Sequence, residues 1–461
     1  MTIGGGADRT PGQKLLFALL VGALLAIPLF AVYLLVYDRQ SQSETAQASI
    51  AEGWGGPQTL AGPVLVIPYQ DQVVETVTEA GNQVTRTRTV WRELTLSPEV
   101  ADLTSEVAPE RRRRSIYEAV VYEATTSGTA RFALPADLTR FGVTADRLAY
   151  DRAELRFGLS DARGLFGRPP TALVDGRALV LQPGKGLAAT SGSGFFAWLD
   201  ARALLQRPVG VRFNFAYRGN GSLTLAPQAG DTRWQVRSKW PHPSFGGGFL
   251  PTERRVGDAG FTATWRVGNL ALGRALVEAG DAQAPTSAAG IDRVATTTPA
   301  SAHEARVDLV SPVDLYAQVN RSVKYGFLFI GFTFAMFLMF DVIAGVRVSP
   351  VEYMLVGAGL VLFFVLLLAF AEVVGFMIAY LVAAAAIIGL LAAYSAAVLG
   401  SWRRGGYVAA LLAGLYATLY ILLSLEAYSL LIGALLLFAA LAAIMYLTRK
   451  LDWAGLREPA A

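Results

Sequence analysis

Apolar and polar positions divide the chain into stretches that suit a membrane and one long part that suits water. The first apolar stretch covers residues 15–37 without a charge and follows Arg9 and Lys14. Its 23 residues match the length that a helix needs to cross a hydrocarbon core of about 30 Å. A cleaved signal peptide has an apolar region of only about 7–15 residues. The length therefore favours an uncleaved signal anchor over cleavage after the A-x-A triplet at 46–48.

Five further apolar stretches follow one another closely at the end of the chain. Backbone polar groups in lipid must be satisfied within the segment, so we predict that each stretch is a helix. Charge supports this division, because residues 325–461 hold only 12 charged residues, whereas the first 324 hold 64. The predicted helices cover residues 326–344, 354–371, 375–399, 407–423 and 428–447.

The distribution of Lys and Arg predicts the topology, since cytoplasmic segments carry an excess of both. With the N-terminus inside, the two short outer loops contain Glu372 and Glu426 and no base. Arg321 and Lys324 do not follow this pattern, but long translocated domains cross largely regardless of charge. We therefore predict six membrane spans with both termini cytoplasmic. The inner segments hold the bases Arg9, Lys14, Arg347, Arg403, Arg404, Arg449, Lys450 and Arg457.

The long polar part reads as a β domain. Residues 116–124 (I-Y-E-A-V-V-Y-E-A) and 211–217 (V-R-F-N-F-A-Y) alternate with period two, and turn residues separate such runs. A helical pattern is present only over 39–52, beside the membrane. The absence of cysteine suits a bacterial periplasm, where such a domain neither needs nor risks disulfides. Residues 281–304 are rich in Ala, Thr, Ser and Pro and predict a flexible loop.

The predicted fold class is a mixed membrane protein. Six transmembrane α-helices, one N-terminal and five C-terminal, carry a large, mainly antiparallel, sandwich-like β domain in the periplasm. The predicted parts are a cytoplasmic N-terminus (1–14), a transmembrane signal anchor (15–37), the periplasmic domain (38–324), a five-helix bundle (325–447) and a cytoplasmic C-terminus (448–461).

Composition excludes several classes of function. Hydrophobic residues make up 53% of the chain and charged residues 16%, with a mean hydropathy of +0.41. The absence of cysteine excludes Cys-ligated zinc, iron–sulfur clusters and thiol nucleophiles. With only His242 and His303, a metal site built on several histidines is excluded too. A net charge of +4 gives no nucleic-acid footprint. We predict no catalytic, metal-binding or cofactor-binding residue, and no nucleic-acid partner.

Three patterns could carry chemistry, and each has a simpler interpretation. Ser244 follows His242 at a spacing of two, but the nucleophile elbow G-x-S-x-G is absent. Residues 192–197 match G-x-G-x-x-A, which has meaning only between the strand and helix of a βαβ unit. Asp151 and Asp161 could serve a glycan-cleaving enzyme. However, 30 acids precede residue 325, so no pair stands out.

An aromatic loop at residues 240–251 (W-P-H-P-S-F-G-G-G-F-L-P) is the first candidate partner contact. Trp240, Phe245 and Phe249 stand in a frame of Gly and Pro, and exposed aromatic side chains make good interface anchors. The alternative is that these rings fill the domain core, because large aromatic side chains are usually well buried.

A run of four arginines at 111–114 is the second candidate contact. Its members Arg113 and Arg114 could bind anionic lipid headgroups or the cell-wall polymer. The alternative is a solvated turn, since short runs of charge are usually exposed.

Four charged residues lie at the outer ends of the predicted spans. Arg321 and Lys324 precede the second span, while Glu372 and Glu426 occupy the outer loops. We predict that they form a charge collar at the membrane interface; the alternative is that each marks where a helix leaves the lipid. Within the spans only Asp341 is ionisable, so the sequence indicates no polar transport path.

Several segments resemble the CreD family of bacterial inner-membrane proteins. They run in order along nearly the whole chain, at residues 54–69, 114–122, 160–164, 240–251, 260–265, 312–334, 372–380 and 445–453. The resemblance implies a role in cell-envelope integrity, control by a two-component sensor system and a part in responses to cell-wall-active antibiotics. It supplies no reaction.

The leading hypothesis is therefore a non-enzymatic inner-membrane protein that supports envelope integrity or the envelope-stress response. Its partners would be the lipid bilayer and an envelope protein or cell-wall component bound by the periplasmic domain. The alternative is a transporter or a transporter accessory subunit, which a span interrupted at the membrane midplane would support.

Overall fold

The computed structural model describes residues 11–79, 82–114, 117–281, 303–309, 315–343, 348–424 and 429–449. It divides into two compact units. A β unit comprises Ala46–Pro312, and a helical unit comprises Met1–Thr45 together with Val313–Ala461. Most of the predicted flexible loop at 281–304 lies outside the described residues.

One sheet of the β unit is built around the long first strand. Its strands are β1 (Gln58–Glu79), β2 (Asn82–Leu96), β5 (Ala153–Leu159), β8 (Gln182–Pro183), β9 (Gly194–Leu199), β11 (Ser222–Ala226), β13 (Pro243–Gly247), β16 (Val277–Asp281) and β17 (Ala305–Leu309). They follow the order β13-β17-β11-β1-β5-β9-β8, and β2 joins β1 to β16. We call this the first sheet.

The second sheet has eight strands in the order β14-β15-β12-β3-β4-β10-β6-β7. These are β3 (Val100–Arg114), β4 (Tyr117–Phe132), β6 (Thr171–Val174), β7 (Arg177–Ala178), β10 (Val209–Asn220), β12 (Asp231–Ser238), β14 (Glu253–Gly257) and β15 (Gly260–Gly268). Across the described residues, strands pair antiparallel except β1 with β11 and β3 with β12. The prediction of a large β domain is confirmed, and its sheets are mixed.

The two sheets pack face to face on one hydrophobic core. Phe157 of β5 meets Phe213 of β10 with ring centroids 5.4 Å apart, and Phe195 of β9 meets Phe215 of β10 at the same separation. Along β10 buried and outward positions alternate, as the period-two pattern predicts. The sheets therefore form the core by contributing alternate side chains, as in a sandwich.

A chain of hydrogen bonds satisfies the polar groups inside this core. The Trp234 indole N–H donates to Ser105 Oγ at 3.0 Å, and Ser105 Oγ lies 2.8 Å from Thr126 Oγ1. Thr126 Oγ1 lies 2.9 Å from the hydroxyl of Tyr217. Because buried polar groups without partners are destabilising, this chain allows three hydroxyls to sit among aromatic rings.

Eight α-helices complete the described fold. One short helix, α2 (Asn269–Leu272), belongs to the β unit. The others are α1 (Pro11–Glu52), α3 (Leu315–Lys324), α4 (Gly326–Ile343), α5 (Pro350–Val374), α6 (Phe376–Val398), α7 (Trp402–Ser424) and α8 (Ser429–Thr448). The predicted helical pattern over 39–52 is the final part of α1, which is continuous with the first apolar stretch.

Five helical segments of the described chain are long and apolar enough to cross a membrane. They are Leu15–Ile50, Leu315–Asp341, Pro350–Val374, Phe376–Val398 and Trp402–Leu423. The sixth predicted stretch coincides with α8, a helix of 20 residues, and the count of six spans stays a prediction. Small residues allow close packing between these helices. For example, a Cβ at Gly359 of α5 would lie 2.9 Å from Leu391 Cδ2 of α6.

Candidate binding surfaces

The aromatic loop turns its rings toward the core of the β unit. Trp240 is only 7% exposed, and Phe245, in β13, packs edge-on against Trp265 with centroids 5.8 Å apart. Phe249 also packs on the core, and its carbonyl oxygen accepts a 3.0 Å hydrogen bond from the Trp265 indole. This placement favours the core interpretation, and the contact interpretation stays a prediction.

The arginine run lies in a strand rather than in a turn. All four residues belong to β3 and pair with β4, where Arg113 faces Glu118 across the ladder. Arg113 is exposed, whereas the side chain of Arg114 lies outside the described residues. The guanidinium of Arg111 lies 5.3 Å from the ring centroid of Trp240. The run and the aromatic loop, separated by more than a hundred residues in sequence, therefore meet in the fold.

Beside the run, the ring of Trp54 is held by two arginine side chains, a contact that the sequence did not predict. The ring of Trp54 has guanidinium groups at 3.6 Å (Arg112) and 4.0 Å (Arg218) from its centroid. Its indole N–H donates to the carbonyl oxygen of Tyr122 at 3.3 Å, and Arg218 also pairs with Glu123 at 3.0 Å. The one available signal was that Trp54 opens the first segment that resembles the CreD family.

Two of those family-like segments are locked together by Gln58, which is fully buried. Its amide donates to the carbonyl oxygens of Asp161 at 3.1 Å and Arg218 at 2.8 Å. The Asp161 carboxylate accepts from the side chain of Arg163 at 2.9 Å and from the backbone N–H of Gly56 at 3.3 Å. These bonds, led by that from Arg163, hold the pKa of Asp161 below its usual range. Asp161 thus has a structural role in a turn.

Neither the His242 and Ser244 pair nor the G-x-G-x-x-A match has the geometry of a catalytic or nucleotide site in the described residues. His242 and Ser244 are both exposed, and no hydrogen bond joins them in the part of the chain that the structure describes. Gly194, in the G-x-G-x-x-A match, begins strand β9 and not a helix. That match therefore lacks the strand–helix context that binds a dinucleotide.

A groove of about 880 Å³ crosses the outer face of the second sheet. Small residues line part of it: Ala108 of β3 and Gly257, Ala259 and Gly260 at the turn between β14 and β15. The adjoining row of the ladder runs Arg255, Thr262, Arg237, Glu106 from β14 to β3 and forms one wall. The ring of Phe166 lines the groove as well.

The charges in this groove are sorted by sign. The three bases are Arg237 on β12, Lys239 just after β12, and Arg255 on β14. The acids Glu106 and Glu123 lie on β3 and β4. Arg237 and Glu123 are engaged by Gln235 and Arg218. Within the described ranges, the side chains of Lys239, Arg255 and Glu106 make no hydrogen bond or ion pair. The groove therefore offers uncommitted positive and negative charges.

An ion network occupies the outer face of the first sheet. Arg156, which is 15% exposed, bonds both oxygens of Glu93 at 2.7 and 3.0 Å and reaches Glu154 at 2.7 Å. Lys185 also pairs with Glu154, which is 8% exposed. Burial alone would raise the pKa of Glu154. The hydrogen bonds from Lys185 and Arg156, with their charges, outweigh burial and lower it.

In the helical unit, Glu372 of the predicted charge collar has found partners that the sequence did not indicate. Its side chain, 13% exposed, accepts a 3.2 Å hydrogen bond from the Tyr316 hydroxyl and lies 4.0 Å from Arg39 Nε. Arg321 and Lys324 lie on α3, and Lys324 is exposed. Glu426 lies outside the described residues, so the complete collar stays a prediction.

Comparison with known proteins identifies the family. A model of the family described as "Inner membrane protein CreD" matches residues 10–454. The inner membrane protein CreD of Escherichia coli strain K12 is 30% identical over 442 residues, which cover 95% of this chain and 92% of the relative. The resemblance seen in the sequence is confirmed, and this chain belongs to the CreD family of inner membrane proteins.

Proposed function

We propose that this protein is a non-enzymatic inner-membrane protein that supports cell-envelope integrity by binding another envelope component. In this proposal the β unit is periplasmic and binds its partner through the groove on the second sheet. The observation that carries the proposal is the set of uncommitted charges in that groove: Lys239, Arg255 and Glu106. Charges placed in this way steer and orient a partner of complementary charge.

The sorting of charge indicates what such a partner carries. A negative group would meet the three bases at the β14 end, and a positive group would meet Glu106 toward β3. The groove is open along the sheet, so an extended segment fits it better than a compact small molecule. An envelope protein with such a segment is the partner that we favour over a glycan or a lipid.

Crosslinking in living cells tests this proposal. A photo-reactive residue at Val256, which lines the groove and is 51% exposed, should give a reproducible protein adduct. Reversing both free bases (Lys239→Glu with Arg255→Glu) should lower the adduct yield about 10-fold, because two attractive charges become repulsive.

The matched control is the same photo-reactive residue at Val180, which is 77% exposed and does not line the groove. The proposal would be contradicted by equal adduct yields at Val256 and Val180, or by a yield at Val256 that does not change when the two bases are reversed. Adducts to glycan or lipid alone would show that the groove binds that component and not an envelope protein.

The proposed topology has six spans and cytoplasmic termini, and the natural absence of cysteine makes it simple to test. Single cysteines at Val180 and at Val373 (76% exposed, near the outer end of α5) should react with a membrane-impermeant maleimide from the periplasm. Trp402→Cys, 77% exposed at the start of α7, should react only after the inner membrane is opened. The reverse pattern would overturn the orientation.

A transporter remains the second hypothesis, and it draws less support. It needs a polar path, but the ionisable residue of the predicted spans, Asp341, is 3% exposed near the end of α4. α5, α6 and α7 run as continuous helices without a midplane break.

A further inference from the structure

Two tryptophans are exposed on the outer face of the first sheet. Trp198 of β9 is 57% exposed and Trp91 of β2 is 44% exposed, although large aromatic side chains are usually well buried. Trp198 is supported by Phe196, whose ring meets it edge-on with centroids 5.0 Å apart. The guanidinium of Arg152 lies 4.9 Å from the ring centroid of Trp91. Both rings are therefore held in place by neighbours while keeping much of their surface free.

The strand register places both rings on the same face. Trp198 is opposite Glu154, and Glu154 is opposite Val66 of β1. Trp91 is opposite Gln70, four residues further along β1, so the alternation of side chains keeps the rings on one side. Strand spacing and rise per residue put them about 20 Å apart.

The ion network lies between the two rings. Its members are two acids, Glu93 and Glu154, and two bases, Arg156 and Lys185, so their charges cancel. Lys185 is 47% exposed and Glu93 27%, which leaves an ammonium donor and a carboxylate acceptor in reach of a ligand. Because Arg156 binds both acids, these groups have fixed positions before any ligand arrives.

We propose that this face binds an uncharged glycan strand. The apolar face of a pyranose ring packs on an exposed indole, and its hydroxyls need fixed donors and acceptors beside the ring, which the network supplies. The network itself is neutral and gives no advantage to a charged polymer, and Arg152, the base beside Trp91, is stacked on that ring. The site is separate from the groove, which lies on the second sheet.

The test is binding of two soluble hexasaccharides, of glucose and of N-acetylglucosamine, to the full-length protein in detergent, followed by calorimetry. The protein should bind at least one with a Kd below about 1 mM. Trp198→Ala and Trp91→Ala should each weaken binding about 10-fold or more, because each removes one platform. Trp198→Phe, which keeps an aromatic face, should stay within about 3-fold of the original.

Trp402→Ala is the matched control, since that exposed ring belongs to the helical unit, and it should bind as the unchanged protein does. Absence of saturable binding of either hexasaccharide, or equal binding by Trp198→Ala, overturns the inference. If Trp198→Ala does not fold, Trp91→Ala decides the matter in the same way. Photo-crosslinking at Val256 should be unaffected by either change, so failure of this site and failure of the groove are told apart.

Discussion

Gly194→Ala is expected to destabilise the β unit by about 3–5 kcal/mol. Gly194 has a φ of 150°, and a Cβ there would overlap the backbone carbonyl oxygen of Phe157 on the neighbouring strand. Strain at such a φ and overpacking each amount to about 1–3 kcal/mol. Phe157 cannot yield easily, because it is 2% exposed and stacked on Phe195 with centroids 5.0 Å apart.

Thermal unfolding of the full-length protein in detergent, followed by tryptophan fluorescence, measures this effect. Six of the eight tryptophans lie in the β unit, so the signal reports mainly on it. The midpoint should fall by about 6–20 °C for a unit of this size. Gly192→Ala is the control, with a φ of 77° but nothing within 4 Å of the added Cβ, and should lose only about 1 kcal/mol. Equal losses at the two glycines would refute this account.

Arg156→Met is expected to destabilise the β unit by about 2–4 kcal/mol. Removal of one partner from a buried ion pair leaves an uncompensated charge, which usually costs about 3–5 kcal/mol. The effect should be smaller here, because Glu93 keeps 27% exposure and Lys185 still neutralises Glu154. The same fluorescence-detected unfolding, at neutral pH, measures it.

Arg163→Met is the matched control for this change. Arg163 pairs with Asp161 at 2.9 Å but is 81% exposed, so its loss should amount to less than about 1 kcal/mol. If Arg156→Met and Arg163→Met lower the free energy of unfolding equally, burial is not what makes the Arg156 network stabilising.

At acidic pH the unchanged protein should lose its higher thermal stability relative to Arg156→Met. The folded-state pKa of Glu154 lies below its unfolded value. Its contribution to stability is therefore complete above the unfolded pKa, about 4.3, and is lost as the pH falls through the folded value. The gap between the two melting midpoints should be constant from about pH 6 to 7 and shrink below about pH 4. A gap that widens in acid would reverse the sign of this linkage.

Local patterns predicted the elements well where one signal dominated. The apolar stretch at 375–399 became α6 (Phe376–Val398), since twenty or more apolar residues have no other stable form in lipid. The alternation at 211–217 correctly predicted a strand, since these residues form the middle of β10. Its period of two arises because one face of the strand is buried in the core and the other is not. The arginine run gave no such signal. Four like charges hide the alternation of β3, and only pairing with β4 defines the strand.

The candidate surfaces depended on contacts that no local pattern contains. The sequence left both exposure and burial of Trp240 open, and the fold buries the ring beneath Arg111. The groove arises because the sheet places the consecutive strands β3 and β4 beside β12, β14 and β15, which come from a much later part of the chain. Likewise Glu372 meets Arg39 of α1, a partner more than three hundred residues away. The spacing of residues in the sequence carries no information on such long-range contacts.

The two parallel pairings have a consequence for the order of folding. Gln58 of β1 pairs with Leu223 of β11, and Val100 of β3 pairs with Asp231 of β12. Each sheet therefore needs a strand made long after its neighbour, and contacts of such high sequence separation form slowly. Until residues beyond 222 have emerged, β1 and β3 each have an open edge that can pair with a foreign strand. A ribosome stalled before that point leaves a nascent chain with both sheets incomplete and prone to aggregation.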